Sequence, residues 1–426
     1  MTDFAAASSA PVSSVGRGEF SAGSKVLFAG FLGVMCGASP VPFNVLPLVV
    51  GPINAEYGWS FTEISLGVTI FGVIASLMAP VIGGLADRYG VRKVALTSLA
   101  LFAFVFASFW FVPPSVGGWW AFWAALGLIG IGSTPVTWSR AISLWFNRNR
   151  GLALGLMLLG TSAAAAIIPR LANWAMAEAD TWRAAFPAAA LPALLIALPV
   201  GLLFFREPRA EERAVGLSDS SGQIAGLNLA QAIRSYRFWV LLSSIMLIAL
   251  AYGGAHIHIV QIVGFHGMTA PDDAANILLA VAIGIFAGRL IVGLLFDRFW
   301  APGIAFPALL LPALSCFLLM GNSTDQAMVM FATFLLGFAA GAESDVIAFL
   351  AAKYFGMAHY GRIYGALYMP FGIGSAVSPI LYGMSRDATG DYDLMLKIAA
   401  AMFVTGGALL LLLGRYPDGD ETQPGG

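Results

Sequence analysis

Arg140, Arg289, Glu343 and Asp345 are ionisable residues set deep in long apolar runs. A charge there is expensive, and such residues mark ligand sites, proton carriers or buried pairs. Arg289 lies eight residues before Asp297, and Arg140 eight before Arg148. At about 1.5 Å per helical residue, each is roughly 12 Å from the nearer polar boundary. Glu343 precedes Lys353 by ten residues, roughly 15 Å, which puts it near the middle of a bilayer. A guanidinium presents a planar fork that matches a carboxylate, and a carboxyl can take up and release a proton. Positions i and i+2 of a helix point about 200° apart, so at most one of Glu343 and Asp345 faces a shared cavity squarely. The alternative for all of them is an ion pair that holds helices together. Arg140 also has the option of reaching out to the nearby surface.

Weaker candidates surround these. Asn44 stands among Pro40, Pro42 and Pro47, which break their apolar run as a gating helix requires. His256 and His258 fall in Tyr252-Gly-Gly-Ala-His-Ile-His, where a substrate contact or a proton relay competes with a merely satisfied polar residue. Tyr364, Tyr368 and Phe371 line one stretch, as ligand or core aromatics. Arg170 lies near the end of its run, where snorkelling is the simpler reading.

The elements that position these residues are read from composition. The 426 residues are 59% hydrophobic and 11% charged, with mean hydropathy +0.82, too little charge to cover a soluble surface. Apolar runs of spanning length recur at 25–50, 61–84, 93–113, 118–146, 150–176, 184–205, 238–264, 274–296, 303–320, 326–350, 361–384 and 392–414. Most of the 22 Lys and Arg residues fall in alternate loops. That bias puts both termini and the central loop in the cytoplasm. Cys36 and Cys316 each sit inside a run, so a structural disulfide is not expected. Residues 1–22 lack the apolar core of a signal peptide and read, like 417–426, as a disordered cytoplasmic tail. No H-E-x-x-H, C-x-x-C or G-x-x-x-x-G-K-[ST] is present. A membrane enzyme, a metal or other cofactor and a nucleic-acid partner are therefore not expected. A sensor would carry an appended domain.

An internal duplication organises the runs. Gly83-Gly-Leu-Ala-Asp87-Arg88-Tyr-Gly90-Val-Arg92-Lys93 recurs in weaker form, 210 positions on, as Gly293-Leu-Leu-Phe-Asp297-Arg298. Gly151 and Gly155 pair with Gly361 and Gly365 at the same offset, Gly127 with Gly337, and Pro169 with Pro379. The deep charges break the register: Arg289 falls on Ala79, Glu343 on Ser133 and Arg140 on Leu350. Scaffold positions repeat and these do not, which favours a specialised role for them.

The loop G-x-x-x-D-R-x-G-x-R-[KR] resembles the signature between helices 2 and 3 of the major facilitator superfamily, which repeats between helices 8 and 9. A narrower likeness, to bacterial monocarboxylate transporters and oxalate/formate antiporter relatives, rests on Gly288-Arg289, on Trp145-Phe146…Arg150-Gly-Leu-Ala-Leu-Gly155 and on Arg237-Phe238-Trp239. The resemblance implies an all-α membrane protein of about twelve transmembrane helices in two pseudo-symmetric six-helix bundles. By position it also implies that Arg289 meets a substrate carboxylate. Drug/proton antiporters carry a proline in the fifth span that Gly155-Leu-Met-Leu-Leu-Gly160 lacks, which counts against efflux by their mechanism.

The expected organisation is a tail at 1–22, a six-helix bundle at 23–206, a linker at 207–237, a second bundle at 238–416 and a tail at 417–426. The expected function is secondary active transport of a small organic monocarboxylate across a bacterial inner membrane by alternating access. A co-transported proton accompanies it, and the protein acts as a monomer. Anion exchange is the alternative, with metabolite efflux behind it. Substrate binding is expected at Arg289, Arg140, His258, Tyr368 and Asn44, and proton coupling at Glu343 and Asp345. Gating is expected at Gly83, Asp87, Arg88, Gly90, Arg92, Asp297 and Arg298. A cysteine placed at Asp272 should react with an impermeant maleimide added outside intact cells, and one at Tyr89 should not. The opposite labelling would invert the topology.

Overall fold

The computed structural model describes residues 15–146, 150–208, 226–270, 272–296, 298–321, 323–356 and 360–416. Asp297 lies outside them, and the side chains of Asp87, Glu343 and Asp345 are likewise outside the description. The first half contains α1 (Val15–Met35), α2 (Pro40–Tyr57), α3 (Phe61–Tyr89), α4 (Val91–Ala107), α5 (Val116–Ile129), α6 (Pro135–Trp145), α7 (Arg150–Ala179), α8 (Ala185–Pro192) and α9 (Leu198–Phe204). After the short α10 (Leu229–Arg234) come α11 (Tyr236–Ile257), α12 (Ile259–Gly264), α13 (Asp273–Phe296), α14 (Ala301–Leu318), α15 (Gln326–Phe355), α16 (Tyr360–Thr389) and α17 (Asp393–Leu411). Ten helical stretches among the described residues are long and apolar enough to cross a membrane. α15 and α16, 30 residues each, supply the length for the other two.

Three differences from the sequence reading have local causes. First, helix α1 reaches back to Val15, into what reads as tail. Phe20 packs against Phe146 with ring centroids 5.1 Å apart, and Glu19 is buried, so tertiary contact orders these residues. Second, the fourth run is two helices. A 3₁₀ turn, Gly130–Ser133, separates α5 from α6, and Pro135 opens α6. Third, the seventh run breaks at His258 between α11 and α12.

The breaks satisfy one another. Where α1 ends and α2 begins, Ala38 N–H donates to Ser133 Oγ (3.1 Å), and that hydroxyl donates to Gly130 O (2.7 Å). Trp138 Nε1 donates to Ser133 O (3.0 Å). Backbone groups freed inside an apolar layer must find such partners.

Four glycines bring α13 and α15 into backbone contact. A Cβ on Gly284 would lie 2.2 Å from Phe334 O, and one on Gly288 2.0 Å from Phe338 O. On the facing helix, a Cβ on Gly337 would meet Val281 O at 2.2 Å and one on Gly341 would meet Ile285 O at 2.0 Å. Small residues four apart on each partner are what close crossing in lipid requires. The same Cβ on Gly341 would fall 2.8 Å from Arg289 N, so the crossing fixes where Arg289 leaves its helix.

Gly341→Leu should therefore force the pair apart and destabilise the protein by about 1–3 kcal/mol, with a lower melting temperature in detergent. Gly155→Ala, where an added Cβ meets nothing within 4 Å, should leave the melting temperature unchanged. Equal melting of the two variants would contradict the backbone contact.

Candidate functional site

Arg289 projects from α13 to α7, across the boundary between the halves. Its Nη1 donates to Leu158 O (2.8 Å) and to Thr161 Oγ1 (3.3 Å), while Thr161 Oγ1 donates to Leu158 O (2.8 Å). The guanidinium is half-buried. Glu343 and Asp345 follow Gly341 on α15 by two and four residues, within one helical turn of the point where α15 touches α13.

The other expected substrate residues are spread over several helices. Asn44 on α2 is buried and its Nδ2 donates to Pro40 O (2.8 Å). Tyr368 on α16 is half-buried, with ring centroids 5.7 Å from Tyr364 and 4.9 Å from Phe371. Arg140 is exposed on α6, five residues before that helix ends. His256 stacks on Tyr252, centroids 5.6 Å apart, and reaches the backbone of Phe43 on α2. Pro47 has no N–H to give the Phe43 carbonyl four residues back. The proline thus leaves an acceptor that a histidine from the other half can use.

His258 stands at a different place, where the halves close at the end away from the signature loop. Its Nε2 lies 3.0 Å from Ser65 Oγ on α3 and 3.2 Å from Pro379 O on α16, and its Nδ1 lies 3.0 Å from Tyr392 Oη. A carbonyl only accepts, so the bond to Pro379 O puts the ring proton on Nε2 and leaves Nδ1 to accept from the tyrosine. Fully buried and ringed by protein partners, His258 is part of the closure in this conformation.

Asp387, at the same end, is not singled out by any pattern in the sequence. Its Oδ1 accepts from Phe61 N–H (3.0 Å), and its Oδ2 from Thr62 N–H (2.9 Å) and Thr62 Oγ1 (2.5 Å). A carboxylate of α16 thus caps the start of α3 in the other half, where unpaired amides and the helix dipole favour negative charge. Ser60 and Glu63 supply the local capping box. Gln261 on α12 adds a third tie, Nε2 to Pro47 O (2.9 Å).

The signature loop joins α3 to α4 at the opposite end. Gly90 has φ of 88°, a conformation open to glycine and strained for other residues. Glu207 Oε1 accepts from Val91 N–H (2.8 Å), and Arg92 donates to Leu202 O. Arg88 is exposed and lies over the Tyr89 ring at 5.3 Å. Gly83 lies inside α3 and Arg298 is exposed beyond α13. Glu207 escaped the sequence reading, which left it among linker charges.

The family pattern described as Major Facilitator Superfamily matches residues 26–379. The chain belongs to that superfamily. It is a multi-pass membrane transporter of the facilitator type, and its relatives are transporters, not enzymes. This facilitator is 26% identical over 373 residues to monocarboxylate transporter 13 of Bos taurus, covering 85% of this chain and 81% of that protein. To the 3-(3-hydroxy-phenyl)propionate transporter of Escherichia coli (strain K12) it is 25% identical, covering 84% and 85%. Its fold matches a bacterial homolog of the human lysosomal transporter Spinster, solved inward-facing and unoccupied, with TM-score 0.66, 16% identity and coverage of 93% and 94%.

Asp387→Ala removes a cap worth about 1 kcal/mol and should shift the equilibrium about fivefold toward conformations in which α3 and α16 part. Distances between spin labels at the exposed positions Ala55 and Leu394 of the same end would read the shift. An unchanged distribution would contradict a latch at Asp387.

Proposed function

We propose that this facilitator carries a small organic monocarboxylate together with a proton, alternating between conformations open to either side. Arg289 carries the reading: a half-buried guanidinium at the boundary between the halves, held by Leu158 and Thr161 of the opposite half. Substrate sites in such two-part transporters lie at that boundary near the membrane centre. The carboxylate of the substrate takes one edge of the fork, displacing the bonds to α7. The names of two relatives, a monocarboxylate transporter and a hydroxyphenylpropionate transporter, agree with that chemistry.

Glu343, with Asp345 as alternative, carries the proton. Anion and proton together add no net charge to the site. The loaded carrier then avoids much of the ~2.3 kcal/mol that a 100 mV potential imposes per charge. Asn44 and Tyr368 shape the cavity, Arg140 draws the anion toward it, and His258 with Asp387 shuts the outer side. The loops around Asp87, Arg88, Gly90, Arg92, Asp297 and Arg298 set the conformational balance on the cytoplasmic side. Both termini lie there, in a bacterial inner membrane. The first bundle takes in α1 from Val15, the second begins with α11, and the segment between α9 and α11 links them.

Purified protein in proteoliposomes tests the reading with a panel of aliphatic and aromatic monocarboxylates. Arg289→Lys should weaken binding about tenfold, since one charge-assisted bond is lost. Glu343→Gln should abolish accumulation under a pH gradient and keep exchange of labelled for unlabelled substrate. Undiminished accumulation by Glu343→Gln would move the proton to Asp345 or remove coupling, and undiminished binding by Arg289→Lys would remove the substrate contact.

A further inference from the structure

A wide hollow opens at the signature-loop end, away from the boundary between the halves. Its volume is ≈ 850 Å³, and its cationic lining is Arg298, Lys353 and Arg415. They come from three places in the chain: the turn after α13, the end of α15 and the turn after α17. Among the described residues no carboxylate pairs with any of the three. Three exposed cations converging on one concave surface repel one another unless an anion lies between them.

The floor is built. Trp300 Nε1 donates to Gly414 O (3.1 Å), Tyr354 Oη to the same carbonyl (2.5 Å), and Ala301 N–H to Tyr416 Oη (2.9 Å). These bonds pin the end of α17 against the start of α14. Lys353 Nζ lies 5.6 Å from the Phe349 ring centroid and 5.8 Å from that of Tyr416, so its ammonium is held over two aromatic faces that line the hollow.

The surroundings identify the ligand. Phe299 is 57% exposed, Leu294 on the last turn of α13 57% and Leu412 after α17 60%. Phe299 lines the hollow itself, and Leu294 and Leu412 stand four and three residues before its lining residues Arg298 and Arg415. Trp300 and Tyr416 stand at the level where aromatic residues mark the membrane surface. A soluble phosphate needs the cations but not the apolar flank, whereas a phospholipid needs both.

We propose that the hollow bounded by Arg298, Lys353 and Arg415 binds the phosphate-bearing headgroup of an anionic phospholipid, whose acyl chains lie along Leu294 and Leu412. The lipid bridges the turn after α13, the end of α15 and the end of α17. It thereby ties the α13–α15 pair to the membrane surface.

The test uses full-length protein in neutral detergent, titrated with dioleoyl phosphatidylglycerol, dioleoyl phosphatidylcholine or inorganic phosphate, with binding read by native mass spectrometry and by thermal shift. Phosphatidylglycerol should bind and raise the melting temperature, and the other two should not. The Lys353→Gln/Arg415→Gln variant should bind phosphatidylglycerol about thirtyfold more weakly, from roughly fivefold per cation removed. Lys25→Gln/Arg234→Gln, the same charge change elsewhere on that end, should bind as the parent does. Equal binding by both variants would overturn the site, as would protection by inorganic phosphate matching that of the lipid. Binding that appears only after removal of residues 417–426, which carry Asp418, Asp420 and Glu421, would assign the hollow to the chain's own tail.

Discussion

A peptide group inside hydrocarbon cannot be left unbonded, and the architecture follows from how this chain meets that demand where its helices stop. An uninterrupted helix bonds to itself and can be moved as a rod. The interruptions cannot. The gap between α1 and α2 takes its partner from the 3₁₀ turn after α5, and the carbonyl freed by Pro47 faces His256. Each interruption therefore commits a helix to a named neighbour. The partners that lie within one half stiffen that half. Those that cross between halves, at Phe43 and Pro47, must be given up and replaced when the halves part.

The two halves share a sequence register but are packed to different tolerances. Gly127 recurs as Gly337, but the positions of Gly284, Gly288 and Gly341 are held in the first half by Ile74, Met78 and Ile131. Gly127 alone leaves a Cβ 3.0 Å from Phe71 O, against 2.0–2.2 Å at the four glycines of the α13–α15 crossing. Arg289 and Glu343 also depart from the repeat, and they sit at this crossing. Tight packing and unrepeated charge coincide because a half-buried guanidinium needs a fixed origin to present its fork in one direction.

Much of this was legible in the chain. Spanning runs declare themselves by length and apolarity, and the prolines around Asn44 announced the first interruption. The crossing was readable too, since Gly284-x-x-x-Gly288 and Gly337-x-x-x-Gly341 stand in plain view. The run at 118–146 also carried a signal for its break, Gly130-Ile-Gly-Ser133-Thr-Pro135, which the apolar stretches on either side masked. His258 read as a candidate for cargo, and the structure places it in the closure. Asp387 and Glu207 read as loop acids because their partners are backbone amides, 326 and 116 positions away in the chain. A carboxylate that caps a distant helix leaves no local pattern, and only the fold brings the two together.

The grip of Asp387 on α3 has a consequence for how the two sides of the closure can drift apart in sequence. Two of its three bonds end on main-chain nitrogen, which every residue but proline provides. Phe61 can be exchanged freely without loosening its bond, and Thr62 forfeits only its hydroxyl. One side of the closure is thus bound to a single residue type while the other wanders. Paired substitution, the trace that contacts between side chains leave among relatives, would be faint here, although the contact spans the widest division in the molecule.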